Sequence, residues 1–234
     1  PGDIYPRALT IPEGYNIFDI AQAVQDDGFA SRDAFLAAER KHTELIAEWT
    51  PPGAPPPASL EGYLFPDTYY FTRRATPLQI LTAMVRRFRR VSAQIGMTHD
   101  VARTVILASL VEKEVSQNSE RPLVAGVFVN RLTKGMPLAT DPTVIYAALL
   151  DGRWRGTIYA SDLASPSPYN TYKHAGLPPG PICNPGIASL RAALSPAQTD
   201  YLYFVSDAAG HSRFSASLKE HAAHVQSSRD ALGD

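Results

Sequence analysis

The sequence predicts an α+β fold: a small N-terminal unit, followed by a mixed α/β domain that is built around a central helix. Three observations lead to this prediction. Apolar residues recur at helical spacing in several stretches, five of the seven residues at 51–57 are proline, and two strand-like segments flank a turn near the C-terminus. At 234 residues, 44% of them hydrophobic, the chain is long enough to bury a substantial core.

The N-terminal unit is predicted to contain two helices. Asn16, with Asp19 three residues later, has the pattern of a capping box, and apolar residues follow at helical spacing. These residues are Ile17, Ile20, Ala21 and Val24. A second helix is expected to begin after Ser31 and to run toward Trp49.

The proline-rich stretch separates this unit from the rest of the chain. Proline has a fixed φ angle and no backbone N–H, so residues 51–57 can form neither a helix interior nor a central strand. We therefore divide the chain into a unit at 1–50, a linker at 51–59 and a domain at 60–234.

An amphipathic helix is predicted just beyond the linker, at 78–91. Its apolar stripe consists of Leu78, Leu81, Met84, Val85, Phe88 and Val91. The opposite face carries Arg86, Arg87, Arg89 and Arg90, which is typical of a solvated helix surface; a basic contact with an anionic partner is the alternative.

A more uniformly apolar helix is expected from His99 to about Val115. Because apolar residues surround its axis, this helix is predicted to lie at the centre of the domain. They are Val101, Val105, Ile106, Leu107, Leu110 and Val111. The helix ends in charge, with the segment Val-Glu-Lys-Glu at 111–114.

The segment from Ser165 to Gly186 contains six prolines and three glycines, which excludes regular structure over about twenty residues. Irregular segments of this length are usually functional or disordered, and the tyrosines and aliphatic residues here indicate order. Next, Asn184 as N-cap and Pro185 as first helical residue predict a short helix that ends before Pro196. A β-hairpin is then predicted from residues 201–206 and 213–217.

Composition excludes several classes of function. A net charge of −1 offers no general attraction for nucleic acid. The single cysteine, Cys183, and six histidines without a HExxH pattern exclude a recognisable metal site, and no cofactor-binding motif is present. No apolar stretch approaches the roughly 20 residues that span a bilayer. Since the chain begins with Pro1, we expect a trimmed chain that could have had an upstream anchor.

Two carboxylates close the central helix, and their positions differ. The residues three, four and seven places before Glu114 are Val111, Leu110 and Leu107, which predicts an apolar wall beside its carboxyl group. Glu112 instead follows Ser109, Ala108 and Val105. Burial against apolar surface raises the pKa of a carboxyl group and allows it to donate a proton near neutral pH. Glu114 is therefore the better candidate for a general acid; the alternative is that both residues are ion-paired charges of a helix end.

Other polar residues could support such a site. Glu120, Arg121 and Arg131 are interpreted as orienting residues, while Asp141 before Pro142 could equally cap a helix. In the sequence Tyr-Asn-Thr-Tyr at 169–172, two aromatic rings and two polar side chains suit the ring faces and hydroxyl groups of sugars. Aromatic residues in loops can also be simple packing anchors.

Six blocks, in this order, resemble the MltG (YceG-like) family of endolytic murein transglycosylases. They are LEGYLFPDTY at 60–69, ASLVEKE at 108–114, NRL at 130–132, TDPT at 140–143, YNTY at 169–172 and GLPPGPI at 176–182. The resemblance extends from about Thr10 to His221, and its Ile-Pro-Glu-Gly opening at 11–14 implies that the N-terminal unit is a LysM-like subdomain. Cys183 departs from the family pattern, in which a less reactive small residue is expected.

The resemblance implies cleavage of the β-1,4 bond between N-acetylmuramic acid and N-acetylglucosamine in peptidoglycan, which leaves 1,6-anhydro ends and terminates nascent strands. It implies a single-pass inner-membrane protein whose catalytic domain lies in the periplasm or otherwise outside the cell. The membrane anchor is expected in the full-length protein and not in this chain. The cell-wall synthesis machinery is a further expected partner.

The resemblance also implies a catalytic glutamate in the Val-Glu-Lys-Glu segment, which we assign to Glu114 with Glu112 as the fallback. The residues expected to bind substrate are Tyr169, Asn170, Thr171, Tyr172, Thr140 and Asp141. Those expected to support the site are Glu61, Glu120, Arg121, Asn130 and Arg131. Two alternatives stay open: a hydrolytic muramidase in which Asp141 or Glu120 supplies the base or nucleophile, and a non-catalytic wall-binding module.

Overall fold

The computed structural model describes residues 6–207 and 210–232. Within these ranges the helices are α1 (Ile17–Asp26), α2 (Arg32–Lys41), a 3-10 helix (Thr43–Trp49), α3 (Pro77–Gln94), α4 (Val101–Glu114), α5 (Arg121–Thr133), α6 (Asp141–Leu150), α7 (Ala160–Leu163), α8 (Ile187–Leu194) and α9 (Leu218–Leu232). The strands are β1 (Arg7–Thr10), β2 (Thr68–Phe71), β3 (Tyr203–Ser206) and β4 (Ser212–Ser215). The predicted mixture of helices and small antiparallel sheets is confirmed.

The N-terminal helices begin as predicted. Asn16 accepts hydrogen bonds from the N–H groups of α1, and the Asp19 side chain accepts from the Asn16 N–H, which completes the capping box. The second helix is shorter than expected. It ends at Lys41, and a 3-10 helix continues the chain to Trp49 after an irregular residue, His42.

The two sides of the proline-rich linker share one sheet and one core. Strands β1 and β2 are antiparallel, with Leu9 opposite Tyr69, although β2 lies beyond the linker. Residues before the linker, such as Phe35, belong to the same buried apolar cluster as Phe88 and Leu110 beyond it. The linker itself has no helix or strand. The division into units at 1–50, 51–59 and 60–234 stays a prediction. The described residues before the linker share a sheet and a core with residues beyond it.

Helix α3 has the predicted amphipathic character. Thr76 and Gln79 form a capping box around Pro77, and the side chains that face the core are buried, with Ile80 in place of the exposed Leu78. The arginine face is partly ion-paired: Arg87 contacts Asp67 at 2.6 Å, and Arg89 contacts Glu48 at 2.7 Å.

Helix α4 occupies the centre of the fold, as the sequence predicts. It packs against α8, α5 and α6, and its residues Leu107, Leu110 and Val111 are buried. The Ser109 side chain is fully buried and accepts a hydrogen bond from the Ile182 N–H at 3.1 Å. This contact joins α4 to the irregular segment 165–186.

Asn184 has a different role from the predicted one. Gly186, not Asn184, is the N-cap of α8, and the helix begins at Ile187. Asn184 is fully buried, and its amide oxygen accepts hydrogen bonds from the N–H groups of Gly62 and Leu64, both at 2.9 Å. A side chain that is used in this way has no free acceptor for a helix terminus, which explains the wrong prediction.

The predicted hairpin is formed by β3 and β4, with Phe204 opposite Phe214. Helix α9 packs against both strands. Among the described residues, no helix combines the length and apolar character needed to cross a membrane.

Candidate active site

A cleft of about 290 Å³ lies at the C-terminal end of α4. It is lined by Glu114, Phe128, Arg131, Leu138, Ala139, Thr140, Asp141, Tyr172, Phe204 and His221. These residues come from α4, α5, the start of α6, the irregular segment, the hairpin and α9. Two larger depressions, of about 550 and 530 Å³, lie elsewhere on the described surface, and neither includes Glu114.

Glu114 is the last residue of α4 and is half-buried in the cleft. Burial raises the pKa of its carboxyl group, and the nearby charge of Asp141 acts in the same direction. The Thr140 hydroxyl donates a hydrogen bond to Glu114 Oε1 and, with the positive charge of Arg131, partly opposes the increase. Glu114 is thus a carboxyl group with raised pKa at the wall of an open cleft, as a general acid requires.

Glu112, the fallback candidate, is held in a different environment. Its carboxylate forms an ion pair of 3.0 Å with Arg121, and both side chains are only 6% exposed. It also accepts a hydrogen bond from the Gly186 N–H at 2.9 Å. Glu112 therefore ties α4 to the starts of α5 and α8, and it does not line the cleft.

Asp141 and Tyr172 form a second polar pair in the cleft. The Tyr172 hydroxyl donates to Asp141 Oδ1 at 2.7 Å, and 40% of the Tyr172 side chain is exposed. The N-cap of α6 is Thr140, not Asp141, which is the first residue of the helix. The Thr140 hydroxyl makes no capping bond, because it is directed to Glu114 instead.

Of the other residues of the Tyr-Asn-Thr-Tyr loop, Asn170 and Thr171 are buried and Tyr169 is half-buried. Asn170 is fully buried and donates to the carbonyl groups of Leu163 and Ser165. The Thr171 hydroxyl accepts a hydrogen bond from the Thr140 N–H. The Tyr169 ring packs against the Tyr146 ring, with centroids 5.1 Å apart. Of the six residues that were expected to bind substrate, Tyr172, Thr140 and Asp141 line the cleft, whereas Tyr169, Asn170 and Thr171 hold the loop in position.

Arg131 and Asn130, at the end of α5, fix the hairpin side of the cleft. Arg131 Nε donates to the Leu202 carbonyl at 2.6 Å, and its Nη1 donates to the Leu138 carbonyl at 2.9 Å. Asn130 donates to the carbonyl groups of Thr199 and Tyr201 at 2.8 and 2.9 Å. Both residues thus hold the backbone beside the cleft in place, and Arg131 also lines the cleft.

Glu120 and Arg121 contact structural groups rather than the cleft. Glu120 accepts hydrogen bonds from the Ser212 N–H at 3.1 and 3.2 Å, and so holds the hairpin against α5. Arg121 donates to Asn118 and Ser189 and pairs with Glu112. Glu120 does not line the cleft and therefore does not share it with Glu114.

Glu61 lies in the core behind the site. Its carboxyl group accepts hydrogen bonds from the Ile17 N–H and the Tyr146 hydroxyl, both at 2.9 Å, and from the Asn184 amide at 2.7 Å. Complete burial raises its pKa to about 8, because the loss of hydration outweighs the hydrogen bonds from Ile17 and Tyr146. Glu61 connects α1, α6 and the loop that precedes α8.

The cleft contains residues that the sequence did not identify. Its apolar lining comes from Phe128, Leu138, Ala139 and Phe204. The expected wall of Leu107, Leu110 and Val111 is buried and does not line the cleft. His221 is a further unexpected member. These residues converge through tertiary packing of α5, the hairpin and α9, for which no local sequence pattern exists.

Metal and thiol chemistry find no support in the described part of the chain. No group of three or more His, Cys, Asp or Glu side chains there has the arrangement of a metal site. Cys183 is fully buried, and burial raises the pKa of its thiol, so that it is held in its unreactive form.

Comparisons with known proteins agree with the sequence motifs. A model of the YceG-like family matches residues 2–227. The endolytic murein transglycosylase of Bacillus subtilis is 38% identical over 232 residues, which cover 93% of this chain and 64% of that protein. The endolytic murein transglycosylase of Streptococcus pneumoniae strain D39 is 35% identical over 224 residues, which cover 85% of this chain and 40% of that protein. The chain therefore spans less than two thirds of the length of these relatives.

A solved structure shows the same fold. The crystal structure of a yceG-like protein from Listeria monocytogenes matches this structure with a TM-score of 0.82 and 36% sequence identity. The match covers 94% of this chain and 76% of that one. By its motifs, its fold and the match to nearly its whole length, the chain belongs to the YceG-like family.

Proposed function

We propose that this chain is the catalytic part of an endolytic lytic transglycosylase that cuts peptidoglycan glycan strands. The observation that carries the proposal is Glu114, a half-buried carboxyl group with raised pKa at the wall of a cleft. The names of the relatives from Bacillus subtilis and Streptococcus pneumoniae support this choice of substrate.

In the first step, protonated Glu114 donates its proton to the oxygen of the β-1,4 bond between N-acetylmuramic acid and N-acetylglucosamine. The bond from C1 to that oxygen breaks, and positive charge develops on the muramic acid ring. The raised pKa keeps Glu114 protonated to a higher pH than an exposed glutamate. Asp141, at the same cleft, places a negative charge where the ring becomes positive.

In the second step, the Glu114 carboxylate accepts the proton of the C6 hydroxyl of the same muramic acid. The C6 oxygen then bonds to C1, which gives the 1,6-anhydro ring and returns Glu114 to its protonated form. No water is consumed. The hydrogen bond from Thr140 stabilises the carboxylate between the two steps. One residue thus serves as acid and base, in contrast to the two carboxylates of most glycosidases.

A second candidate function is hydrolysis by a muramidase mechanism. Asp141 favours it, because this carboxylate shares the cleft with Glu114 and could activate a water or attack C1. Glu120, the other residue considered for this role, is bound to the hairpin instead. The third alternative, a non-catalytic binding module, would bind glycan and release no product.

Mass spectrometry of digested peptidoglycan tests the three possibilities. A transglycosylase gives anhydro-muropeptides, a muramidase gives products heavier by one water, and a binding module gives neither. The Glu114→Gln variant should fold normally and lose activity, since general acid–base catalysis is typically worth about 10²–10⁴-fold. Glu112→Gln is the matched control; its folded fraction should still release anhydro products. Wild-type rates from Glu114→Gln would refute the assignment of Glu114.

We also infer that the full-length protein is held in the inner membrane by one helix, with this chain on the outer side, where nascent strands are cut. Because this placement brings the chain to nascent strands, we expect the cell-wall synthesis machinery to include its partners. Protease treatment of intact and osmotically opened cells that express the full-length protein tests the orientation. Digestion of the catalytic domain only after lysis of the inner membrane would contradict it.

A further inference from the structure

His221 lines the cleft but belongs to none of the sequence motifs. It lies on α9, and its ring stacks on the Tyr203 ring with centroids 5.2 Å apart and planes 22° apart. The Arg131 guanidinium lies 5.3 Å from the centroid of the same tyrosine. Both side chains line the cleft together with Glu114. Tyr203 therefore positions two nitrogen-bearing groups at one side of the cleft.

The surroundings of His221 determine which of its nitrogens can act. Nδ1 is buried and has no hydrogen-bond partner within the part of the chain that the structure describes. A charged imidazolium would bury an unpaired N–H there, next to the positive charge of Arg131. Burial, Arg131 and His224 all lower the pKa of His221, which keeps the ring neutral. Since an unpaired buried acceptor is tolerated better than an unpaired buried N–H, the proton belongs on Nε2.

The chemistry of this wall matches an N-acetyl group. An acetamido substituent has an apolar methyl group and an amide carbonyl oxygen, and it carries no charge. Phe204 supplies half-buried apolar surface, Phe128 and Leu138 lie almost fully buried in the same lining, and the His221 ring supplies a donor beside them. A carboxylate ligand is less suitable here, because Glu114 and Asp141 already place acidic groups in the same cleft.

We infer that His221 contacts the substrate and that its Nε2–H donates a hydrogen bond to the carbonyl oxygen of an N-acetyl group of the glycan strand. This inference rests on the proposed function and names the substituent that the cleft recognises. His221 takes no part in the proton transfers of Glu114. Its loss should therefore weaken substrate binding and leave the chemical step unchanged.

The test uses His221→Phe, which keeps an aromatic ring on Tyr203 and removes the donor. His224→Phe is the matched control, because His224 lies one turn further along α9 and does not line the cleft. Its Nδ1 is also buried, with no hydrogen-bond partner among the described residues. Kinetics are measured on N-acetylated glycan strands and on the same strands after N-deacetylation. Far-UV circular dichroism and urea unfolding establish that both variants are folded.

His221→Phe should raise KM for acetylated strands about three- to tenfold, the value of one hydrogen bond, with kcat within about twofold of wild type. On deacetylated strands it should match wild type, and His224→Phe should match wild type on both. An unchanged KM, an equal rise on both strands, or a loss confined to kcat would overturn the inference.

A binding measurement separates this inference from the proposed function. Titration calorimetry compares the binding of acetylated strands to Glu114→Gln and to the Glu114→Gln, His221→Phe double variant, and weaker binding by the double variant supports the contact. If wild type cleaves neither strand, the proposed function fails, while the binding comparison still decides the role of His221.

Discussion

Replacement of Asn184 by alanine should destabilise the protein strongly, although Asn184 is outside the cleft. Its side chain makes four buried hydrogen bonds: it accepts from the N–H groups of Gly62 and Leu64, and it donates to the Tyr15 carbonyl at 2.9 Å and to Glu61 at 2.7 Å. Alanine removes all four: the N–H groups of Gly62 and Leu64 lose their partner, and the Tyr15 carbonyl and the Glu61 carboxyl group each lose one of their donors.

The expected loss follows from these contacts. Each hydrogen bond contributes about 1 kcal/mol net, and the buried groups left unpaired add to the cost, so the free energy of unfolding should fall by about 4 kcal/mol or more. This is a large part of the roughly 5–15 kcal/mol that stabilises a typical domain. The variant should therefore be partly unfolded at physiological temperature.

Urea unfolding, followed by circular dichroism and by the fluorescence of Trp49, measures the change. Trp49 suits this purpose because it stacks on Tyr63 in the fold, with ring centroids 5.4 Å apart. Asn118→Ala is the control at an exposed asparagine and should cost less than about 1 kcal/mol. If Asn184→Ala lost less than about 1 kcal/mol with an unchanged urea dependence, the hydrogen-bond argument would be wrong.

Three further predictions concern the site and its support. Thr140→Val removes a donor that favours the ionised form of Glu114, so the pKa of Glu114 should rise and the alkaline limb of the pH–rate profile should move to higher pH; an unmoved or lowered limb would contradict this. Glu61 has its folded pKa raised from 4.5 to about 8, so its contribution to stability is complete below about pH 4.5 and is lost as the pH rises to about 8. Urea unfolding at several pH values should show this decline in wild type and a weaker one in Glu61→Gln, and parallel curves would refute it. Gly62→Ala should lower the free energy of unfolding by about 3 kcal/mol or more, because a Cβ at this positive-φ residue would lie 2.5 Å from a buried proline ring. In Gly186→Ala the nearest atoms belong to a flexible carboxylate that can move, so the loss should be much smaller. Equal unfolding midpoints for the two alanine variants would contradict the packing argument.

Local patterns in the sequence were sufficient for most of the helices. The capping boxes at Asn16 and Thr76 lie within one turn of the residues that they bind, so the signal and the structure share the same few residues. The same is true of the β3–β4 hairpin, whose strands are separated by a short turn. The position of Glu114 on its helix was also local information.

Contacts between distant segments could not be predicted in this way. The partner of Glu114 is Thr140, 26 residues away, and the partners of the Asn184 side chain are 120 to 169 residues away. A sequence pattern gave the four residues of the tyrosine loop equal weight, yet burial directs only Tyr172 into the cleft. His221 had no motif at all, because its role depends on where α9 packs.

The pairing of β1 with β2 joins two chain segments that lie on opposite sides of the proline-rich linker. Backbone hydrogen bonds and a common core hold residues on both sides of it, while most of the linker itself is exposed. A single protease cut within 51–58 should therefore leave a nicked protein whose two fragments stay together until a denaturant is added. For the same reason the linker should tolerate an inserted tag or fluorescent label, since each doubling of a loop's length costs only about 0.6 kcal/mol.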